Sequence, residues 1–241
     1  MQKLNNDAVI SNALLDHYID NNVGYSEICK SCRLHAAKKI SNFENGPVPF
    51  FHVGENFKNQ KIRPLFLGIV AYGWEGELGS IFFNASKEIR LKNKSNVIYA
   101  IEDRIDDLFF SKRKYHNNEK RMIFFSYLKD AVELVFGDNA YSKIALTNLL
   151  KCNNNDVRSS GYPQKCFDYC IRNKFTGNLM RDVEIINPTH VILMSKNHNR
   201  FYRYIRLIEE KRIKSLTIAH PSSNKSGTKK QWSDTIREFL S

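Results

Sequence analysis

Two groups of residues in this 241-residue chain have types and spacing that suggest chemistry. The first is its five cysteines. Cys29 and Cys32 form a Cys-x-x-Cys pair, and Cys152, Cys166 and Cys170 form a looser group about 120 residues later. An odd count with no secretion signal ahead of it argues against a disulfide framework. Four thiolates suit either tetrahedral zinc or an iron–sulfur cluster. The second group stands just after apolar segments, at 71–75, 148–152, 195–197 and 220–223. These stretches bring a carboxylate (Glu75), an amide (Asn148), an imidazole (His220) and hydroxyls (Ser222, Ser223) to points where the chain leaves a buried strand.

The segments that would position these groups follow from hydrophobic periodicity. Residues 62–70, 144–150, 190–194 and 215–219 are short apolar runs bounded by breakers, the pattern of buried strands. Residues 1–40 read as helical, with Ala13, Leu14, Leu15, Tyr18 and Ile19 on a 3.6-residue period. Residues 41–61, punctuated by Asn45-Gly46, Pro47 and Pro49, read as loop. A charged amphipathic stretch over 86–135 reads as helices parted by the polar 111–120 segment. Further helices are expected over 173–186, 199–211 and 231–240. Apolar strands alternating with helices imply a parallel sheet covered on both faces, with its site at the carboxyl ends of the strands. The expectation is therefore one α/β domain over 1–241: a three-layer α/β/α arrangement around a four-stranded parallel sheet, with a helical insertion near 86–135.

Charge and composition narrow the partners. With 37 Lys and Arg against 25 Asp and Glu, the chain carries +12. Such a surplus suits polyanions, because each phosphate contact releases counterions, although a Lys- and Asn-rich composition accounts for it equally well. Lys112, Arg113, Lys114, Lys120 and Arg121 make a basic patch that reads as a solvated face or a DNA-backbone contact. The polar start, the lack of a signal-peptide core and the lack of a long apolar run lead to the expectation of a cytoplasmic protein with no membrane partner.

Four motifs then appear in one order, each at an expected strand end. His220-Pro221-Ser222 follows the last strand. Thr147-Asn148-Leu149-Leu150-Lys151-Cys152 closes the second. Ile185-Ile186-Asn187-Pro188-Thr189-His190-Val191-Ile192 leads into the third, and Cys29-x-x-Cys32 precedes them all. Together they resemble the uracil-DNA glycosylase superfamily, and its iron–sulfur branch most closely, over about residues 25–225. The resemblance implies a four-stranded parallel sheet with flanking helices and an enzyme that hydrolyses the N-glycosidic bond of a base flipped out of DNA.

Such an enzyme must hold the extruded base and stabilise the negative charge it takes up on leaving. By resemblance, His220 faces O2 of the base and Asn148 reads its edge. Tyr72 keeps the place of a family tyrosine, and Phe82 or Phe83 stacks on the ring. Ser222, Ser223 and Lys225 meet the DNA backbone. Plainer roles stay open for each: a histidine bonded to nearby backbone, an asparagine capping a strand, phenylalanines in the core, an ordinary polar loop. For the metal, the resemblance implies a [4Fe–4S] cluster on Cys29, Cys32, Cys152 and Cys170, with Cys166 as the alternative fourth ligand and zinc as the alternative metal. Its role would be structural.

One departure matters. After the first strand the family shows a polar residue that positions water and then a proline, whereas here Gly68-Ile69-Val70-Ala71-Tyr72-Gly73 has neither. Either His220 and Glu75 carry the reaction, or the substrate is not uracil. A bulkier modified base, as in attack on foreign (phage) DNA, is one such substrate. The rival readings are a hydrolase of free nucleotides and a DNA-binding protein that has lost catalysis. One pocket suffices for either activity, so a monomer is expected.

Overall fold

In a computed structural model the described residues are 6–21, 23, 31, 51–69, 92, 94–110, 119–151, 164–171, 178–195, 198–221, 223 and 226–241. The helices among them are α1 (Ala8–Asp20), α2 (Lys94–Phe110), α3 (Glu119–Phe136), α4 (Gln164–Ile171), α5 (Asn178–Ile186), α6 (His198–Glu209) and α7 (Lys229–Leu240). The strands are β1 (Phe51–Val53), β2 (Pro64–Gly68), β3 (Ala145–Asn148), β4 (His190–Met194) and β5 (Lys214–Ile218).

The expected strands are present as β2, β3, β4 and β5, and they pair in parallel in the order β3-β2-β4-β5. Leu65, Phe66 and Leu67 of β2 and Val191 and Ile192 of β4 are fully buried, as strands covered on both faces require. The sheet nevertheless has five strands and is mixed. Phe51-His52-Val53, within the segment read as loop, runs antiparallel to β3 as β1. Its outer edge is closed by the chain ahead of α1. The Val53 N–H donates to Asn6 Oδ1 at 3.1 Å, and the Asp7 N–H donates to the Val53 carbonyl at 2.7 Å. A three-residue strand capped in this way offers no edge to another chain.

The chain passes from β2 to β3, returns across β2 to β4, and continues outward to β5. Right-handed crossovers then place α2 and α3 on one face and α4, α5 and α6 on the other. The packing agrees: α1 and α4 lie against α5, while α7 lies against α3. The first crossover returns along the opposite face from the later ones, so a crevice opens at the carboxyl ends of β2 and β4.

Local sequence accounts for the helices. Asp7 caps α1 by accepting from the Ile10 N–H at 2.9 Å. In α5, Leu179, Asp182, Val183 and Ile186 repeat at helical spacing and are all buried, so a carboxylate occupies a core position. Thr228 and Gln231 form a capping box that starts α7, whose Trp232, Ile236 and Leu240 are buried. No helix among the described residues is long and apolar enough to cross a membrane.

Candidate functional site

The carboxyl end of β2 is built to let a neighbour come close. Gly68 pairs with Asn148 in the β2–β3 register. A Cβ on Gly68 would collide with Asn148 Oδ1, so only glycine admits the amide at this position. Asn148 is 7% exposed. Immediately beyond, the Leu149 N–H donates to the Gly68 carbonyl at 2.9 Å and the Leu150 N–H to the Ile69 carbonyl at 3.0 Å. The two strand ends are thus stitched together past the last ladder pair.

His220 stands at the same end of the sheet, two residues beyond β5. Three strand spacings separate it from Asn148, roughly 14 Å of backbone. Its ring is stacked on Phe124 of α3, with centroids 5.2 Å apart and planes 8° from parallel. The loop beneath is pinned from α7: the Trp232 indole N–H donates to the Ala219 carbonyl at 2.9 Å, and Tyr127 of α3 packs edge-on against that indole at 5.9 Å. A Lys229–Asp130 ion pair at 2.6 Å also joins α7 to α3. The helical insertion, expected to present a solvated face, therefore buttresses the histidine.

The rest of the loop after β5 is folded on itself. The Ser223 N–H donates to the His220 carbonyl at 2.8 Å, and the Ser226 hydroxyl donates to the Ser223 carbonyl at 2.7 Å. Ser223 is buried, so its backbone shapes the turn that carries His220. Of the other residues expected at the site, Tyr72, Glu75, Phe82, Phe83, Ser222 and Lys225 lie outside the described residues, as do Lys112, Arg113 and Lys114 of the basic patch.

Behind Asn148 lies a buried polar cluster to which the sequence had given no role. Lys151 and Asp182 form an ion pair with side chains 2% and 0% exposed. The Lys151 ammonium donates to Thr147 Oγ1 at 2.9 Å and to the Asn148 carbonyl at 2.7 Å, and it lies 5.6 Å from the centre of the Tyr18 ring. The Tyr18 hydroxyl donates to Asp182 Oδ2 at 3.0 Å, and burial holds its pKa well above the usual phenol value. Nearby, burial lowers the pKa of His17 against the opposing pull of Asp182. The sequence signals were a lysine inside a quoted motif and an aspartate in the apolar stripe of α5.

Cys29, Cys32 and Cys152 lie outside the described residues. Cys170 is 8% exposed on α4, one turn beyond Cys166. Among the described residues, no three His, Cys, Asp or Glu side chains gather as a metal site. The elements adjoining the cysteines do converge: α1 packs on α5, α4 packs on α5, and Lys151, next to Cys152, is paired with Asp182 of α5. That placement is compatible with thiolates from all three segments meeting beside α5. No protein-family model matches the chain, and no curated protein matches it in sequence.

Proposed function

We propose that the chain is a DNA glycosylase that breaks the bond between C1′ and the nitrogen of a flipped base, with water adding to the sugar. The observation that carries this reading is the placement of Asn148 and His220. They stand at one end of one sheet, on the two strands that flank the β2–β4 crevice. The backbone separation of roughly 14 Å is one that two side chains and a ring between them can fill.

An imidazole fixed in a partly covered site can donate to a base carbonyl as negative charge builds there, when that interaction is strongest. A carboxamide offers both a donor and an acceptor, which suits a pyrimidine edge. Within this proposal the fold is a glycosylase-like three-layer domain with β1 added at its edge, and Glu75 and Tyr72 complete the pocket from the segment after β2. Cys29, Cys32, Cys152 and Cys170 would hold a [4Fe–4S] cluster that ties the N-terminal segment to the chain after β3. Elemental analysis finding iron and sulfide rather than zinc, lost in Cys170→Ser and kept in Cys166→Ser, is the outcome this assignment expects.

His220→Ala and Asn148→Asp should each abolish abasic-site formation while DNA binding persists. A second reading, a DNA-binding protein without catalysis, is favoured by Val70 and Ala71 in place of a water-positioning residue. On that reading the wild-type chain holds DNA and produces no abasic site.

A further inference from the structure

Lys151 belongs to the strand-end motif, yet base recognition as described makes no use of it. Its surroundings are unusual for a lysine. The ammonium has three protons to donate, and three oxygens receive them: Asp182 Oδ2, Thr147 Oγ1 and the Asn148 carbonyl. Such a pair is a poor source of stability, because desolvating two charges offsets most of their attraction and apolar replacements commonly serve as well. Its directional consequence lies in the Asn148–Leu149 peptide. Lys151 bonds the carbonyl of that peptide at 2.7 Å, and the N–H of the same peptide donates to the Gly68 carbonyl at 2.9 Å. A charge at one end of such a chain polarises the peptide and strengthens the bond at the other.

We propose that Lys151 is a positioning residue: it clamps the Asn148–Leu149 peptide across the end of β2 and so holds the Asn148 amide over Gly68 in the orientation that reads the base. Asp182 and Tyr18 fix the ammonium in turn, making α1 and α5 part of the support. The inference rests on the glycosylase reading for its consequence in catalysis and on the hydrogen bonds alone for the clamp.

The test replaces the whole buried unit, Tyr18→Phe/Lys151→Met/Asp182→Leu, in the full chain, so that no charge is left unpaired. The expected result is a folded protein whose Leu149 amide exchanges with solvent faster. Its excision turnover on the wild-type substrate DNA should fall by on the order of tenfold or more, with KM nearly unchanged. Unchanged Leu149 exchange, or wild-type turnover in the triple variant, overturns the clamp. Should the triple variant fail to fold, the wild-type chain still decides. A slowly exchanging Lys151 ammonium correlated with the Asn148 carbonyl supports the clamp, and its absence overturns it. A wild-type chain that excises nothing but loses Leu149 protection in the variant would sink the glycosylase reading and leave the clamp standing.

Discussion

Gly68 and Asn148 face each other across the last pair of the β2–β3 ladder, and the amide of one fills the space where the other has no side chain. The glycine that stops an apolar run in the sequence is thus a vacancy shaped for a neighbouring carboxamide. Gly68→Ala should displace Asn148 and cost about 1–3 kcal/mol, the range for overpacking a closed site. Urea denaturation measures this directly. Wild-type stability for Gly68→Ala would mean that the amide has room to move and is not held here.

The buried ion pair makes an asymmetric prediction. Lys151→Met alone leaves the Asp182 carboxylate buried without its cation, and should cost about 3–5 kcal/mol. Adding Asp182→Leu and Tyr18→Phe should restore most of that loss, because matched apolar groups need no partner. Thermal melts of the single and triple variants check the order. A triple variant less stable than the single would contradict it.

His52 supplies a pH dependence. It is fully buried on β1, with Nε2 2.9 Å from the Tyr141 carbonyl oxygen, a contact that assigns the proton to that nitrogen. Burial pushes its pKa down from 6.5 to about 4. Between those values the unfolded chain binds a proton that the folded chain excludes. Stability from this residue is therefore complete above the unfolded pKa, begins to fall below about pH 6.5 and keeps falling to about pH 4. The total effect is about 3 kcal/mol. In His52→Gln the decline of Tm over that window should be shallower, and an equal decline would assign the acid sensitivity to other groups.

Phe124 should matter through His220 alone. An aromatic pair is worth about 0.5–1.5 kcal/mol beyond its buried area, so Phe124→Ala should slow excision by up to about tenfold. Phe124→Tyr, which keeps the stacked ring, should recover the rate. Equal rates for wild type and Phe124→Ala would show that the imidazole is held by its other contacts.

The legible parts of this fold were those governed by one residue and its near neighbours. Apolar runs such as Leu65-Phe66-Leu67 and His190-Val191-Ile192 identify buried strands because both faces are covered. They also locate Asn148 and His220 at strand ends. Strand β1 was illegible: three residues close behind Pro47 and Pro49 carry no alternation, and their pairing comes from β3, more than 90 residues away. Helix α4 was likewise hidden, since its eight residues bury Phe167, Cys170 and Ile171 on a short, mixed segment. The contacts that organise the site are long-range as well. Phe124 meets His220, and Tyr18 meets Asp182, only after the sheet is assembled. Asp182 did leave a trace, a charge in an otherwise apolar stripe, but nothing local names Lys151 as its partner.

The central claim is base excision, and one measurement addresses it most directly. Purified protein is incubated with DNAs carrying uracil, damaged bases or hypermodified cytosines, and abasic sites are scored. The account predicts abasic sites on one class of substrate, absent with His220→Ala and with Asn148→Asp. Intact DNA across the whole panel, with DNA still bound, would contradict it and leave a binding protein in its place.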